Sequence, residues 1–172
     1  IIGDDNPCFI VAEAGVAHFG SLEKCFKLVD LAKKAGADAV KFQIFDIDSF
    51  ISKKSSKWHK RMSEKILEYE DFFKIQKYCI KKKIIFFLTP HDENALKHLI
   101  KLNPPIIKIG SGEVQNNLFI KKIISLNKPT IISTGMYSDE DLKNLMKIIS
   151  KQENKDIAIL HCTSSYPAKL QE

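Results

Sequence analysis

The sequence has no long apolar segment and no cysteine arrangement typical of a disulfide framework. None of its apolar runs approaches the roughly 20 residues that a membrane-spanning helix needs. No signal peptide is visible. The four cysteines form no CxxC pair: two fall on apolar positions of predicted helices (Cys25 and Cys79), and Cys162 lies in a predicted strand. We therefore expect free thiols in a reducing, cytoplasmic compartment.

The basic residues are not clustered in the way that is typical of a nucleic-acid-binding surface. The 172 residues include 27 Lys and Arg against 21 Asp and Glu, which gives a formal charge of +6. Nucleic-acid binders concentrate such charge on one stripe, whereas these lysines are scattered over predicted helix faces and short runs such as 81–83. We interpret them as solvated helix surfaces, and we expect neither a nucleic acid nor a membrane as partner.

Short apolar runs alternate with amphipathic stretches along the whole chain. We predict six strands, at 9–14, 39–45, 84–88, 106–109, 130–133 and 156–161. Predicted helices lie between them: one capped by Ser21 and stopped at Gly36, others at 69–82, 92–102 and 117–126, and one capped by Ser138. The polar segment 46–68 is predicted to be irregular. This alternation predicts a parallel sheet covered by helices.

Two architectures fit this alternation: a (β/α)₈ barrel and an open doubly wound sheet. No Gly-rich dinucleotide fingerprint follows the first strand, which disfavours the open sheet. A complete barrel typically needs roughly 250 residues. We therefore predict an α/β fold of the TIM barrel type, in which residues 1–172 form one domain that supplies about the first six βα units.

Polar side chains interrupt otherwise apolar strands at positions that share one face. Lys41 and Gln43 alternate with apolar residues in the second strand, so both side chains point to the same side. Lys108 lies between Ile107 and Ile109 in the fourth strand. In a barrel this face is the interior, where a lysine is costly unless it meets an anion. The two lysines therefore favour a site for an anionic ligand.

Further polar residues lie at or just after the ends of other strands. They are Glu13 in the first strand, Thr89 in the third, Ser111 and Glu113 after the fourth, and Ser133 in the fifth. Catalytic groups of barrel enzymes cluster at these carboxyl ends. Each residue alone has an ordinary structural explanation as a turn or snorkelling residue. Together they indicate one mouth with lysines, hydroxyls and backbone N–H groups for phosphate and carboxylate.

The five histidines do not form a pattern typical of a metal site. His18 and His161 lie at the predicted active face, but no HxH or HxxxH pair accompanies them. His59 and His98 are predicted to be solvent residues, and His91 is a candidate cap for the helix that begins near Asp92. We expect no metal ligands within this chain.

Six segments, taken together and in order, resemble one enzyme family. They are 12–21 (AEAGVAHFGS), 35–43 (AGADAVKFQ), 89–92 (TPHD), 108–113 (KIGSGE), 133–136 (STGM) and 160–167 (LHCTSSYP). The chain resembles the N-acetylneuraminate (sialic acid) synthases, a family that includes legionaminic and pseudaminic acid synthases. The ordered set spans nearly the whole chain and is far more specific than any single motif.

The resemblance implies an activity and a role for each candidate residue. The reaction is condensation of phosphoenolpyruvate with an N-acetylated amino-sugar aldehyde, N-acetylmannosamine or a related sugar, to a nonulosonic acid and phosphate. The implied phosphoenolpyruvate-binding residues are Lys41, Gln43, Thr89, Lys108, Ser111 and Ser133, and the implied sugar-binding residues are Ser164 and Tyr166. Glu13 and Glu113 are the candidate catalytic carboxylates.

The resemblance also implies parts that lie outside these 172 residues. A divalent metal, Mn²⁺ or Mg²⁺, is expected on two histidines of later strands, beyond residue 172. A C-terminal antifreeze-like domain is expected to reach the partner's active site in a homodimer. We therefore expect the 172 residues alone to be inactive.

Two positions depart from the family pattern. Residues 17–20 read AHFG where the family usually has Asn-His-Asn-Gly, and His91 stands where the family often has Phe. The first departure bears on contacts made by that loop and hence on the identity of the sugar.

Two alternatives to the synthase stay open at the level of sequence. One is another phosphoenolpyruvate-dependent aldol-type synthase barrel, such as a deoxy-octulosonate-phosphate or heptulosonate-phosphate synthase. Such enzymes bind phosphorylated sugars and are expected to carry additional basic phosphate-binding motifs, which we do not find. The other alternative is a truncated barrel without catalysis, which only binds a ligand or partner.

Overall fold

The computed structural model describes residues 2, 3 and 5–169, and it divides the chain into two compact units. Unit 1 is Ile1–Pro105 and unit 2 is Ile106–Glu172. In each unit strands alternate with helices, as the sequence predicts. No helix among the described residues is long and apolar enough to span a membrane.

The described residues of unit 1 form three strands and five helices. In chain order they are β1 (Val11–Gly15), α1 (Leu22–Lys34), β2 (Ala39–Ile44), α2 (Ile47–Phe50), α3 (Ser56–Ser63), α4 (Tyr69–Lys82), β3 (Ile85–Pro90) and α5 (Glu93–Leu102). The strands are parallel, with β2 paired to β1 on one side and to β3 on the other. Parallel pairing brings the carboxyl ends of the three strands to the same edge of the sheet.

The long helices of unit 1 form where local sequence favours them. The Ser21 hydroxyl caps α1 by accepting a hydrogen bond from the Lys24 N–H at 3.2 Å, as predicted. Helix α4 has the predicted bounds, and its buried face consists of Phe72, Ile75 and Cys79. Apolar side chains at helical spacing thus pack the helices against the sheet.

The segment 46–68 is not irregular, and this prediction was wrong. It contains α2 and α3, and α2 begins where the Asp46 carboxylate accepts a hydrogen bond from the Ser49 N–H at 2.9 Å. The cap of α5 was also misassigned. Asp92, not His91, is the N-cap residue, and its carboxylate accepts from the Ala95 N–H at 2.8 Å. Both helices begin at an aspartate because a carboxylate satisfies the first free N–H groups.

Two histidines that we predicted as solvent residues are half-buried. The His59 ring lies 3.0 Å from the Asp48 carboxylate. The His98 ring stacks on Tyr69, with ring centroids 3.5 Å apart. Each ring contacts a residue of another helix, and no sequence pattern predicts these contacts.

In unit 2, residues up to 169 are described, and they form three strands, two helices and one short 3₁₀ turn. In chain order they are β4 (Ile107–Ile109), the 3₁₀ turn (Ser111–Glu113), α6 (Asn117–Ile124), β5 (Thr130–Ser133), α7 (Asp139–Ser150) and β6 (Ile157–Leu160). The strands are parallel, with β5 between β4 and β6. Ser138 caps α7 as predicted, within a reciprocal capping box that Asp141 completes. Cys162 follows β6 and does not lie within it, which corrects its predicted placement.

Candidate active site

The carboxyl ends of the three strands in unit 1 bring four of the predicted residues together. Glu13 of β1 lies opposite Lys41 of β2 in the parallel register, and Gln43 lies opposite Thr89 of β3. Because side chains alternate between the two faces of a strand, Lys41 and Gln43 point to the same side. The sequence prediction of a shared face is therefore confirmed for this half of the candidate site.

Lys41 is the centre of this group. Lys41 is 8% exposed. Its ammonium forms an ion pair with Glu13 and donates a hydrogen bond to the Thr89 hydroxyl oxygen at 3.2 Å. Burial of an ammonium is costly without such partners. The Glu13 side chain is half exposed, which leaves solvent access beside the buried charge. This arrangement can receive an anion next to the Lys41 ammonium.

His18 lies in the turn that follows β1, at the expected edge of the sheet, but its ring is not open to solvent there. Its ring is buried against Phe42, which alternates with Lys41 in β2 and therefore points to the other side of the strand. The Gly20 N–H donates to His18 Nδ1 at 3.1 Å. Burial, and secondly the positive charge of Lys65, lower the pKa of His18 from 6.5 to about 4. His18 is therefore a neutral core residue at physiological pH.

Unit 2 contains a second buried lysine within a strand, β4. Lys108 is 7% exposed, and its ammonium donates a hydrogen bond to the Ser133 hydroxyl oxygen at the end of β5, at 2.6 Å. It also donates to the carbonyl oxygen of Ile109 at 2.6 Å. Unit 2 thus has the same arrangement as unit 1, in which a buried ammonium donates a hydrogen bond to a hydroxyl of the next strand.

The 3₁₀ turn after β4 carries Ser111 and Glu113. Ser111 is half-buried, whereas Glu113 is buried and accepts a hydrogen bond from the side-chain amide of Asn116 at 2.8 Å. Sequence reasoning missed Asn116, although its position three residues after Glu113 places both on one turn. It also missed Tyr137, whose buried hydroxyl has no hydrogen-bond partner within the described part of the chain. Burial, followed by the negative charges of Glu113 and Asp141, raises the pKa of Tyr137.

The two residues predicted to recognise the sugar lie in the segment that follows β6. Ser164 is exposed, and its hydroxyl oxygen is 2.9 Å from the position that a Cβ atom at Gly135 would occupy. Tyr166 is 99% exposed. His161, expected at the active face, is exposed as well. The role of Ser164 and Tyr166 in sugar binding stays a prediction.

Two further predictions about the site stay predictions. Convergence of Glu13, Lys41, Thr89, Lys108 and Ser133 on one mouth is the first, because it involves both units together. Metal binding is the second. Among the described residues, no group of three or more His, Cys, Asp or Glu side chains is arranged to hold a metal ion.

Both units are of the α/β class and hold a buried strand lysine bonded to a hydroxyl of the next strand, and comparison with known proteins identifies the family. The NeuB family model matches residues 28–172, and the chain belongs to this family. The family resemblance stated from sequence is thereby confirmed.

The relatives include proteins that are named as nonulosonic acid synthases. The chain is 34% identical to the N,N'-diacetyllegionaminic acid synthase of Legionella pneumophila, over 99% of this chain and 52% of that protein. It is 33% identical to the pseudaminic acid synthase of Campylobacter jejuni, over 98% of this chain and 53% of that protein. The chain therefore spans about half the length of the curated relatives that it matches.

A solved structure supports the predicted fold class. The sialic acid synthetase of Leptospira borgpetersenii aligns with a TM-score of 0.92 at 28% identity, over 99% of this chain and 61% of that one. The predicted α/β fold of the TIM barrel type, with the first six strands present, is confirmed.

Proposed function

We propose that this chain is the phosphoenolpyruvate-binding part of a sialic-acid-type synthase. The observation that supports the proposal is the pair of buried lysines, Lys41 and Lys108, each within a strand and each bonded to a hydroxyl near the carboxyl end of the neighbouring strand. Membership of the NeuB family supports the same conclusion. The product is a nonulosonic acid, and the second product is inorganic phosphate.

Phosphoenolpyruvate carries the two anionic groups that such lysines suit. Its phosphate and carboxylate accept charge-assisted hydrogen bonds, which are about twice as strong as those between neutral groups. Lys41 and Lys108 bind these groups in the proposal, and Gln43, Thr89, Ser111 and Ser133 supply neutral donors. A buried ammonium needs no further desolvation when the anion arrives, which favours tight binding.

The reaction then proceeds by attack of the enol carbon on the aldehyde carbon of the open-chain sugar. A carbon–carbon bond forms, the aldehyde oxygen takes up a proton, and cationic character develops at C2 of phosphoenolpyruvate. Water adds to C2 and loses a proton, and the tetrahedral intermediate expels phosphate. The lysines stabilise the charge on the leaving phosphate. Glu113 is the candidate proton donor to the aldehyde oxygen, and Glu13 the candidate base for the attacking water.

Several parts of the proposal rest on family resemblance alone. The sugar is N-acetylmannosamine or a related amino sugar, recognised by Ser164 and Tyr166. A divalent metal, Mn²⁺ or Mg²⁺, is held by residues beyond residue 172. The full-length protein is a homodimer in the cytoplasm, with an antifreeze-like domain after the barrel.

Incubation of the full-length protein with phosphoenolpyruvate, Mn²⁺ and a panel of amino sugars tests the proposal. Phosphate release and product mass are measured, with unphosphorylated N-acetylated sugars in one arm and phosphorylated pentose and tetrose sugars in the other. The proposal expects a product with a nine-carbon backbone in the first arm only. Turnover in the second arm alone would favour the other aldol-type synthases, and binding of phosphoenolpyruvate without turnover of any sugar would favour the non-catalytic alternative.

A further inference from the structure

Strand β1 carries an irregularity at the point where it delivers Glu13 to the candidate site. The parallel register with β2 pairs Glu13 with Lys41 and then Gly15 with Phe42, so that one extra residue of β1 is accommodated between them. Such a bulge re-aims side chains locally and is common next to active sites. Here it brings the backbone of Gly15 to the same side as the Glu13 carboxylate.

Gly15 has no side chain, and the space that a side chain would need is filled. A Cβ atom at Gly15 would lie 2.9 Å from Oε1 of Glu13 and 3.5 Å from Nε2 of Gln43. The first distance is shorter than any normal contact, so the carboxylate would have to move. Because that carboxylate is the free end of a flexible side chain, it would yield before the backbone of β1 does.

We propose that Gly15 is a positioning residue, whose missing side chain leaves the room in which the Glu13 carboxylate pairs with the Lys41 ammonium. This inference rests on the proposed function, because it assigns Gly15 to the same site. An alanine at position 15 would push the carboxylate away from Lys41 and so misplace both charged groups. A displacement of about 1 Å in such a site can cost on the order of 100-fold in rate.

An alanine at position 15 would also strain the backbone, and the experiment must separate this strain from the displacement of the Glu13 carboxylate. Its φ is +52°, a left-handed conformation that costs an ordinary residue about 1–2 kcal/mol. Gly36 provides a matched control, because its φ is +79° and a Cβ there would meet nothing within 4 Å. Gly36→Ala therefore carries comparable backbone strain without displacing any side chain.

The test compares Gly15→Ala with Gly36→Ala in the full-length enzyme, each in the Glu13 and in the Glu13→Asp background. Aspartate is one methylene shorter, so its carboxylate leaves room for the new methyl group. We expect Gly15→Ala to lower kcat/KM for phosphoenolpyruvate about 10- to 100-fold beyond the control in the Glu13 background. In the Glu13→Asp background, Gly15→Ala should lower kcat/KM by about threefold or less beyond the control. Such a dependence of one substitution on the other is a coupling that backbone strain alone does not produce.

Equal losses from Gly15→Ala in both backgrounds, or a loss no larger than that of Gly36→Ala, would overturn the inference and leave the proposed function standing. If the wild-type enzyme shows no turnover at all, the proposed function fails. A crystal structure of Gly15→Ala then decides on the inference alone. A Glu13 carboxylate displaced from Lys41 supports it, and a carboxylate still paired with Lys41 refutes it.

Discussion

Replacement of Lys108 by Met tests the anion site most directly. Methionine keeps an unbranched, flexible apolar stem while it removes the charge. The substitution takes away the donor to the Ser133 hydroxyl and to the Ile109 carbonyl oxygen, both at 2.6 Å. Lys108 is 7% exposed, so the new thioether replaces a buried ammonium, which is itself costly to bury. We expect the free energy of unfolding to change by about 1 kcal/mol or less.

The effect on phosphoenolpyruvate should be much larger than the effect on stability. A charge-assisted hydrogen bond to a desolvated anion contributes about 1.5–3 kcal/mol. Since about 1.4 kcal/mol corresponds to tenfold in rate, kcat/KM for phosphoenolpyruvate should fall about 10- to 150-fold. The KM for the sugar should change little, because Lys108 is assigned to the other substrate.

The assay is steady-state kinetics on the full-length enzyme, with each substrate varied in turn at saturation of the other. Lys147→Met is the matched control, because Lys147 is an exposed lysine in the last turn of α7. Its kinetics should match those of the wild type. The assignment of Lys108 is refuted if Lys108→Met remains folded by circular dichroism and retains wild-type kinetics for phosphoenolpyruvate.

Three other predictions follow from single side chains. Because the pKa of His18 is lowered from 6.5 to about 4, the unfolded state binds more protons between these values, and folding is weakened as pH falls. Between pH 7 and pH 5, the free energy of unfolding measured with denaturant should fall by about 2 kcal/mol in the wild type but not in His18→Gln. Equal falls in the two proteins would contradict this prediction. Burial raises the pKa of Cys25 and of Cys79 to about 12, so a thiol reagent at pH 8 should label the exposed Cys8 and spare both, as peptide mass mapping will show. Ser164→Ala should raise the KM of the sugar and leave that of phosphoenolpyruvate unchanged; the reverse pattern in steady-state kinetics would refute its assignment.

The sequence predicted the helices and strands well where their signals are local. Helix α4 has its predicted bounds, and Ser21 and Ser138 cap the helices that they were expected to cap. These features depend on apolar spacing and on a hydroxyl next to free N–H groups, both of which are visible in a short window. The helices α2 and α3 were missed because they are short, with four and eight residues, and because neither contains a buried residue.

The histidines show what local reasoning cannot reach. His18 was expected at the active face, yet its ring lies against Phe42, and His98 stacks on Tyr69 from a distant part of the chain. A polar residue within a loop carries no local signal of the partner that will cover it. The same holds for Tyr137, whose position near Glu113 depends on how the turn after β4 and the loop after β5 approach each other.

The sequence by itself determined the fold class, the family and the shared face of Lys41 and Gln43, because strand periodicity and ordered motifs are properties of the chain. Only the tertiary structure decided that Lys41 bonds Thr89 and pairs with Glu13, and that Lys108 bonds Ser133. These contacts depend on which strands pair and in which register. Register is a property of the folded sheet, since a shift of one residue would turn each side chain to the opposite face.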